Sequence, residues 1–190
     1  MKNLFVLSAV VLVVGMMGCK DDPVTYPFDP DVMHYDGVNN DAPVLLTGAV
    51  ETAVQFGKDA MDFYNGKKID AVSVFLFEVP SSFTLVFYAK GSGNSPGAEL
   101  YSQSYSDGLQ ANGWNTVPFT TPLDLPSDEI WIGYRIADGG NVKTIGCDAG
   151  PGENGGDWIW EASAGEWTTF LDKTDGQVDI NWNIRASVID

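Results

Sequence analysis

The side chains most able to do chemistry are concentrated between Asp148 and Asp157. The run Asp148-Ala149-Gly150-Pro151-Gly152-Glu153-Asn154-Gly155-Gly156-Asp157 holds three carboxylates among glycines. Calcium takes roughly six to eight oxygens, which carboxylates and the free carbonyls of a glycine-rich turn can supply. Asp148, Glu153 and Asp157 are therefore candidate calcium ligands, and calcium is the one candidate cofactor. The spacing is not that of an EF-hand, and a solvated loop whose glycines only permit turns is the plainer alternative. The loop runs into Trp158-Ile159-Trp160, whose two indoles share one strand face. Trp131 stands opposite a face of isoleucines. Exposed indoles stack on the CH faces of sugars, so Trp131, Trp158 and Trp160 form a candidate ligand platform. The alternative is that such large rings fill the core, the role assigned here to Trp114, Trp167 and Trp182.

Catalysis finds fewer parts. His34 is the one histidine, and no Gly-x-Ser-x-Gly elbow accompanies it. It reads as a surface or sheet-edge residue. Phosphate-cradling glycine loops and zinc-spaced Cys/His patterns are missing. Glycoside hydrolysis needs only two suitably separated carboxylates. Glu78, Glu99, Glu161 and Asp179 lie in strand-like segments, where solvated strand positions are the simpler account. No catalytic residue is assigned.

The balance of 26 acids against 10 Lys and Arg gives a formal charge of −16. Without a basic patch there is no electrostatic footprint for nucleic acid. Solubility at a crowded surface accounts for most of the acidity.

The chain starts Met1-Lys2-Asn3, continues with an apolar run over residues 4–14, and reaches Gly15-Met16-Met17-Gly18-Cys19. Charged, apolar and small segments in that order are those of a secretory signal, here residues 1–18, and the apolar run is short for a bilayer-spanning helix. The Gly18-Cys19 ending resembles a lipobox, although Met16 and Met17 depart from its usual residues. The resemblance implies lipid attachment at Cys19 and anchoring to a membrane through acyl chains. Lys20-Asp21-Asp22 resembles the surface-export signal of Bacteroidetes-type lipoproteins, implying an outer-membrane lipoprotein exposed at the cell surface. Residues 19–31 are rich in proline and aspartate and read as an extended tether. The folded domain is expected over residues 32–190. With Cys19 acylated, Cys147 has no partner and is expected to be a buried, inert thiol.

Short apolar runs separated by Gly, Pro, Asn and Asp fill the rest of the chain. Val50, Thr52, Val54 and Phe56 alternate onto one face. So do Ile130, Ile132, Tyr134 and Ile136, and so do Trp182, Ile184, Ala186 and Val188, with Asn181, Asn183 and Arg185 opposite. Residues 69–79 read as a central strand, and residues 83–89 as its hairpin partner across Pro80-Ser81-Ser82. Residues 58–64 carry a helical turn or two before the Asn65-Gly66 turn. Nearly ten short strands predict an all-β, antiparallel two-sheet β-sandwich of jelly-roll type.

Asn65-Gly66-Lys67-Lys68-Ile69-Asp70-Ala71-Val72-Ser73-Val74 resembles the early strand of jelly-roll modules of secreted Bacteroidetes proteins, including cleaved-adhesin-like domains. Gly113-Trp114-Asn115-Thr116-Val117-Pro118-Phe119, Glu129-Ile130-Trp131-Ile132-Gly133-Tyr134 and Gly165-Glu166-Trp167 add to the resemblance in the same order. It spans residues 45–190, and its motifs are packing motifs. It implies a mostly non-catalytic module that accompanies adhesins and proteases. The leading expectation is a non-catalytic cell-surface binding or adhesion module for an extracellular glycan or protein. A structural accessory subunit of a surface complex is the second, and a small glycan-active enzyme the third.

Overall fold

A computed structural model describes residues 28–44, 48–137 and 143–190. Cys19, Lys20, Asp21 and Asp22 lie outside the described residues, as does the expected signal peptide.

The alternating runs form ten strands: β1 (Val32–Met33), β2 (Val50–Phe56), β3 (Lys68–Leu76), β4 (Phe83–Ala89), β5 (Glu99–Tyr105), β6 (Gly113–Asp124), β7 (Ile130–Ile136), β8 (Trp158–Glu161), β9 (Trp167–Thr169) and β10 (Ile184–Ile189). Two short helices, α1 (Lys58–Phe63) and α2 (Phe170–Lys173), complete the described elements. One sheet has the order β1-β10-β3-β6, and the other β5-β4-β7-β2-β8-β9, with every pairing antiparallel.

With β8 and β9 set aside, eight strands remain, and they pair from the outside inward. β1 pairs with β10, β2 with β7, β3 with β6 and β4 with β5. Nested pairing of this kind results when one long hairpin is rolled into two sheets, which is the jelly roll. The chain is thus an all-β sandwich, as the strand pattern predicts. The segment between β7 and β10 is an addition. It lengthens the larger sheet by β8 and β9 and carries the acidic loop.

The predicted inward faces meet in one core. Val50, Val54 and Phe56 pack with Ile132, Tyr134, Val74, Leu76, Ile184 and Trp182. Each such side chain fully buried contributes about 1.5–3 kcal/mol.

Two expectations need correction. β3 and β4 are not a hairpin: β3 lies in the smaller sheet and β4 in the larger, so residues 77–82 cross between layers. The folded part also begins before residue 32. The Phe28 ring lies 5.4 Å from that of Phe63, the Tyr64 hydroxyl donates to the Asp29 carbonyl at 2.7 Å, and the Val188 amide donates to the Asp31 carbonyl. Residues 28–31 are therefore packed structure, not tether.

Candidate functional site

A cleft of about 830 Å³ opens at one end of the sandwich, a size suited to a ligand. Its walls come from the segment after β1, the β2–α1 junction, the loop between β7 and β8, and the approach to β10. Phe28, His34, Tyr35, Asp59, Glu153 and Asn154 are among the residues that line it.

Tyr35 is fixed by its neighbours. Its ring stacks on Phe56 at 4.9 Å with planes 16° apart, and its hydroxyl donates to the Gln55 carbonyl at 2.9 Å. Burial first, and the nearby Glu153 carboxylate second, push its phenol well above the usual range.

Beneath it runs a polar network. The Asp36 carboxylate is buried and accepts from Asn183 Nδ2 at 2.7 Å and from Arg185 Nε at 3.0 Å, with Arg185 Nη2 2.9 Å away. His34 Nδ1 lies 2.9 Å from the Asp36 carbonyl and 3.3 Å from its carboxylate. The Asp36 hydrogen bond raises the His34 pKa, against opposition from burial and Arg185.

The expected calcium ligands are not brought together. Asp148 turns inward and accepts from the amides of Gly37 and Asn181, from Asn181 Nδ2 and from the Gly150 amide, at 2.8–2.9 Å. Asp157 points to the start of α2, accepting from the Leu171 amide at 2.9 Å. Burial raises its pKa, opposed by the amides of Leu171 and Phe170. Asp148 and Glu153 both line the cleft, and Asp157 does not. Among the described residues, no group of three or more His, Cys, Asp or Glu is placed to hold a metal ion. Both buried carboxylates serve amides that the loop would otherwise leave unpaired.

The glycines have a different purpose from the one expected. A Cβ at Gly150 would stand 2.2 Å from the Asp179 carbonyl oxygen, and one at Gly155 would stand 2.5 Å from that of Gln55. Both have positive φ. The loop lies that close to β2 and to residues 179–181 because only glycine fits there.

The expected aromatic platform is covered. Trp131 is 0% exposed and Trp158 is 7% exposed. They point outward, as the alternation predicts, but they meet each other at 4.9 Å and form a second apolar layer with Ala53, Val86, Tyr88 and Trp167. Their ring N–H groups are used as well, by Glu129 and Gln55. Trp160 is half-buried on the same face. The added strands β8 and β9 supply this cover, which the pattern of β7 alone cannot reveal. Trp182 is in the core as expected, whereas Trp167 packs in the outer layer.

Trp114 was expected in the core and is 38% exposed. It lies on the outer face of the smaller sheet, where its ring meets Phe75 at 5.7 Å and the Arg185 guanidinium at 4.4 Å. Phe77 adjoins Phe75 at 5.3 Å. Its own strand carried the signal, because Asn115 and Val117 face inward and leave Trp114 with Thr116 and Pro118. Tyr35, Asp36 and Asp59 carried no signal. Asn181, Asn183 and Arg185 showed one as alternate polar residues in a buried run.

The other candidates have separate settings. Cys147 is buried, its thiol pushed up to about 12, chiefly by burial. Glu161 is buried and paired with Lys173, Asp179 accepts from the Gly152 amide, Glu99 sits on the β5 edge, and Glu78 is exposed.

No protein-family model matches this chain, and no curated protein does. Solved structures do. The cysteine protease and lectin-like domains of Cwp84, a surface layer associated protein of Clostridium difficile, match with a TM-score of 0.54 and 15% identity over 74% of this chain and 32% of that one. Clostridial cysteine protease Cwp84 after propeptide cleavage matches with a TM-score of 0.59 and 16% identity over 84% of this chain and 40% of that one. At such identities the likeness is one of fold. This chain spans two-fifths or less of the length of the structures it matches.

Proposed function

We propose that the protein is a non-catalytic, cell-surface binding module whose ligand occupies the cleft beside Tyr35. It is secreted through residues 1–18, anchored by lipid at Cys19, and exported to the outer face of the outer membrane through Lys20-Asp21-Asp22. The observation that carries this reading is how the cleft groups are used. Asp36 and Asp148 are committed to buried hydrogen bonds, which makes them a frame. Tyr35 presents a held ring, suited to contact rather than proton transfer. The lectin-like, surface-layer setting of Cwp84 supports the same reading.

The test is to screen the full-length chain, in detergent, on glycan and peptide arrays. The reading expects a retained ligand class that is recovered chemically unchanged, and its loss in Tyr35→Leu. A ligand returned cleaved, or retained equally by Tyr35→Leu, contradicts it.

A structural subunit of a surface complex is the second reading. The aromatic face formed by exposed Trp114 with the half-buried Phe75 and Phe77 favours it, since an apolar face of this kind suits a protein partner.

A further inference from the structure

The cleft holds several carboxylates, and their charges are answered unequally. Arg185 and His34 answer Asp36, and four N–H donors answer Asp148. Lys58, the lysine on the rim, is paired with Asp62. Asp29, Asp59 and Glu153 also line the cleft, and among the described residues no cation pairs with any of them. Beside them stand two aromatic side chains, Tyr35 and Phe28. The Asp29 carboxylate accepts from the Asp31 amide, which is no counter-charge. Carboxylates that no cation answers, next to aromatic rings and in a cavity large enough for several side chains, match an amine or guanidinium. The carboxylates supply charge and the ring faces supply cation–π attraction.

The geometry points to a basic peptide segment of an extracellular protein as the ligand, with a lysine or arginine side chain seated against Tyr35 and within the reach of Asp29, Asp59 and Glu153. This inference rests on the cleft being the ligand site, as proposed above, and adds the ligand's chemistry. The whole molecule favours a protein of opposite charge. A formal charge of −16 steers a basic partner from beyond the contact distance, and the cleft then selects the side chain.

The test uses fluorescence anisotropy on the full-length chain in detergent, with labelled hexa-lysine as the probe. Hexa-glutamate, a chitosan hexamer and its neutral N-acetylated form are measured alongside it. Hexa-lysine is expected to bind, more weakly as salt rises. The double variant Asp59→Asn, Glu153→Gln is expected to bind it about tenfold more weakly. Asp107→Asn with Asp175→Asn removes the same charge elsewhere and is expected to change affinity by less than about twofold. Equal losses from the two double variants would mean that general acidity attracts the probe, and would overturn the inference. Tighter binding of chitosan than of hexa-lysine would overturn it in favour of an amino sugar. If hexa-lysine does not bind while a neutral glycan binds and is lost in Tyr35→Leu, the inference fails and the cleft remains the ligand site. If every ligand is indifferent to Tyr35→Leu, both fail.

Discussion

Asp36 and Arg185 meet as a buried carboxylate and a guanidinium, with Oδ2 2.9 Å from Nη2 and 3.0 Å from Nε. One follows the first strand and the other lies in the last, so the pair ties the two ends of the jelly roll together at the floor of the cleft. Arg185 also lies over Trp114, connecting the cleft to the aromatic face of the smaller sheet.

Removing the carboxylate strands its donors. Asp36→Ala should cost about 3 kcal/mol, because Arg185 and Asn183 lose a buried acceptor. Urea titration measures this. A loss below about 1 kcal/mol, the range of an exposed ion pair, would mean that the pair does not hold the cleft floor.

His34 gives the fold a pH signature. Its pKa is raised above its ordinary 6.5, chiefly by the Asp36 hydrogen bond. The protonated form is thus favoured by folding. The stability it supplies is full below about pH 6.5 and is lost as pH rises through the raised value. His34→Gln should melt below wild type at about pH 5, and the gap should narrow by about pH 8.5. A gap that is constant with pH would show that the imidazole's charge is not involved.

Asp148 tests the acidic loop. It accepts four hydrogen bonds from the chain itself. Asp148→Ala should destabilise by about 2–4 kcal/mol. Wild type should melt at the same temperature in chelator and in millimolar calcium. A calcium-dependent midpoint that vanishes in Asp148→Ala would return the cation to this loop.

The proposed lipid anchor has its own test. Cys19→Ala should abolish labelled palmitate incorporation. Alanines at Lys20, Asp21 and Asp22 should leave the protein lipidated but protected from protease added to intact cells. Equal palmitate labelling of wild type and Cys19→Ala, or equal cleavage of the export variant, contradicts these assignments.

Alternation made the strands legible because each has one face in the core. Val50 to Phe56 and Ile130 to Ile136 were readable for this reason. Sheet membership was not, because a short connection such as Pro80-Ser81-Ser82 serves a hairpin and a crossing between sheets equally well. The alternation set the direction of Trp131 correctly, but its burial depends on β8 and β9, which are remote in sequence. The acidic loop is ambiguous in a similar way. Carboxylates among glycines look the same whether they await a cation or accept amides from residues 37 and 181. The cleft was the least legible part, since it brings together segments around residues 35, 59 and 153 whose side chains share no spacing.

Hydrogen exchange on the full-length chain, with and without its best array ligand, tests the central claim most directly. Ligand in the cleft should slow exchange at the amides around Tyr35 and Asn154 and at the start of α1, and should leave β8, β9 and the strands beneath Trp114 unchanged. Protection confined to β8 and β9, or to the face of Trp114, would place the ligand elsewhere and contradict the account.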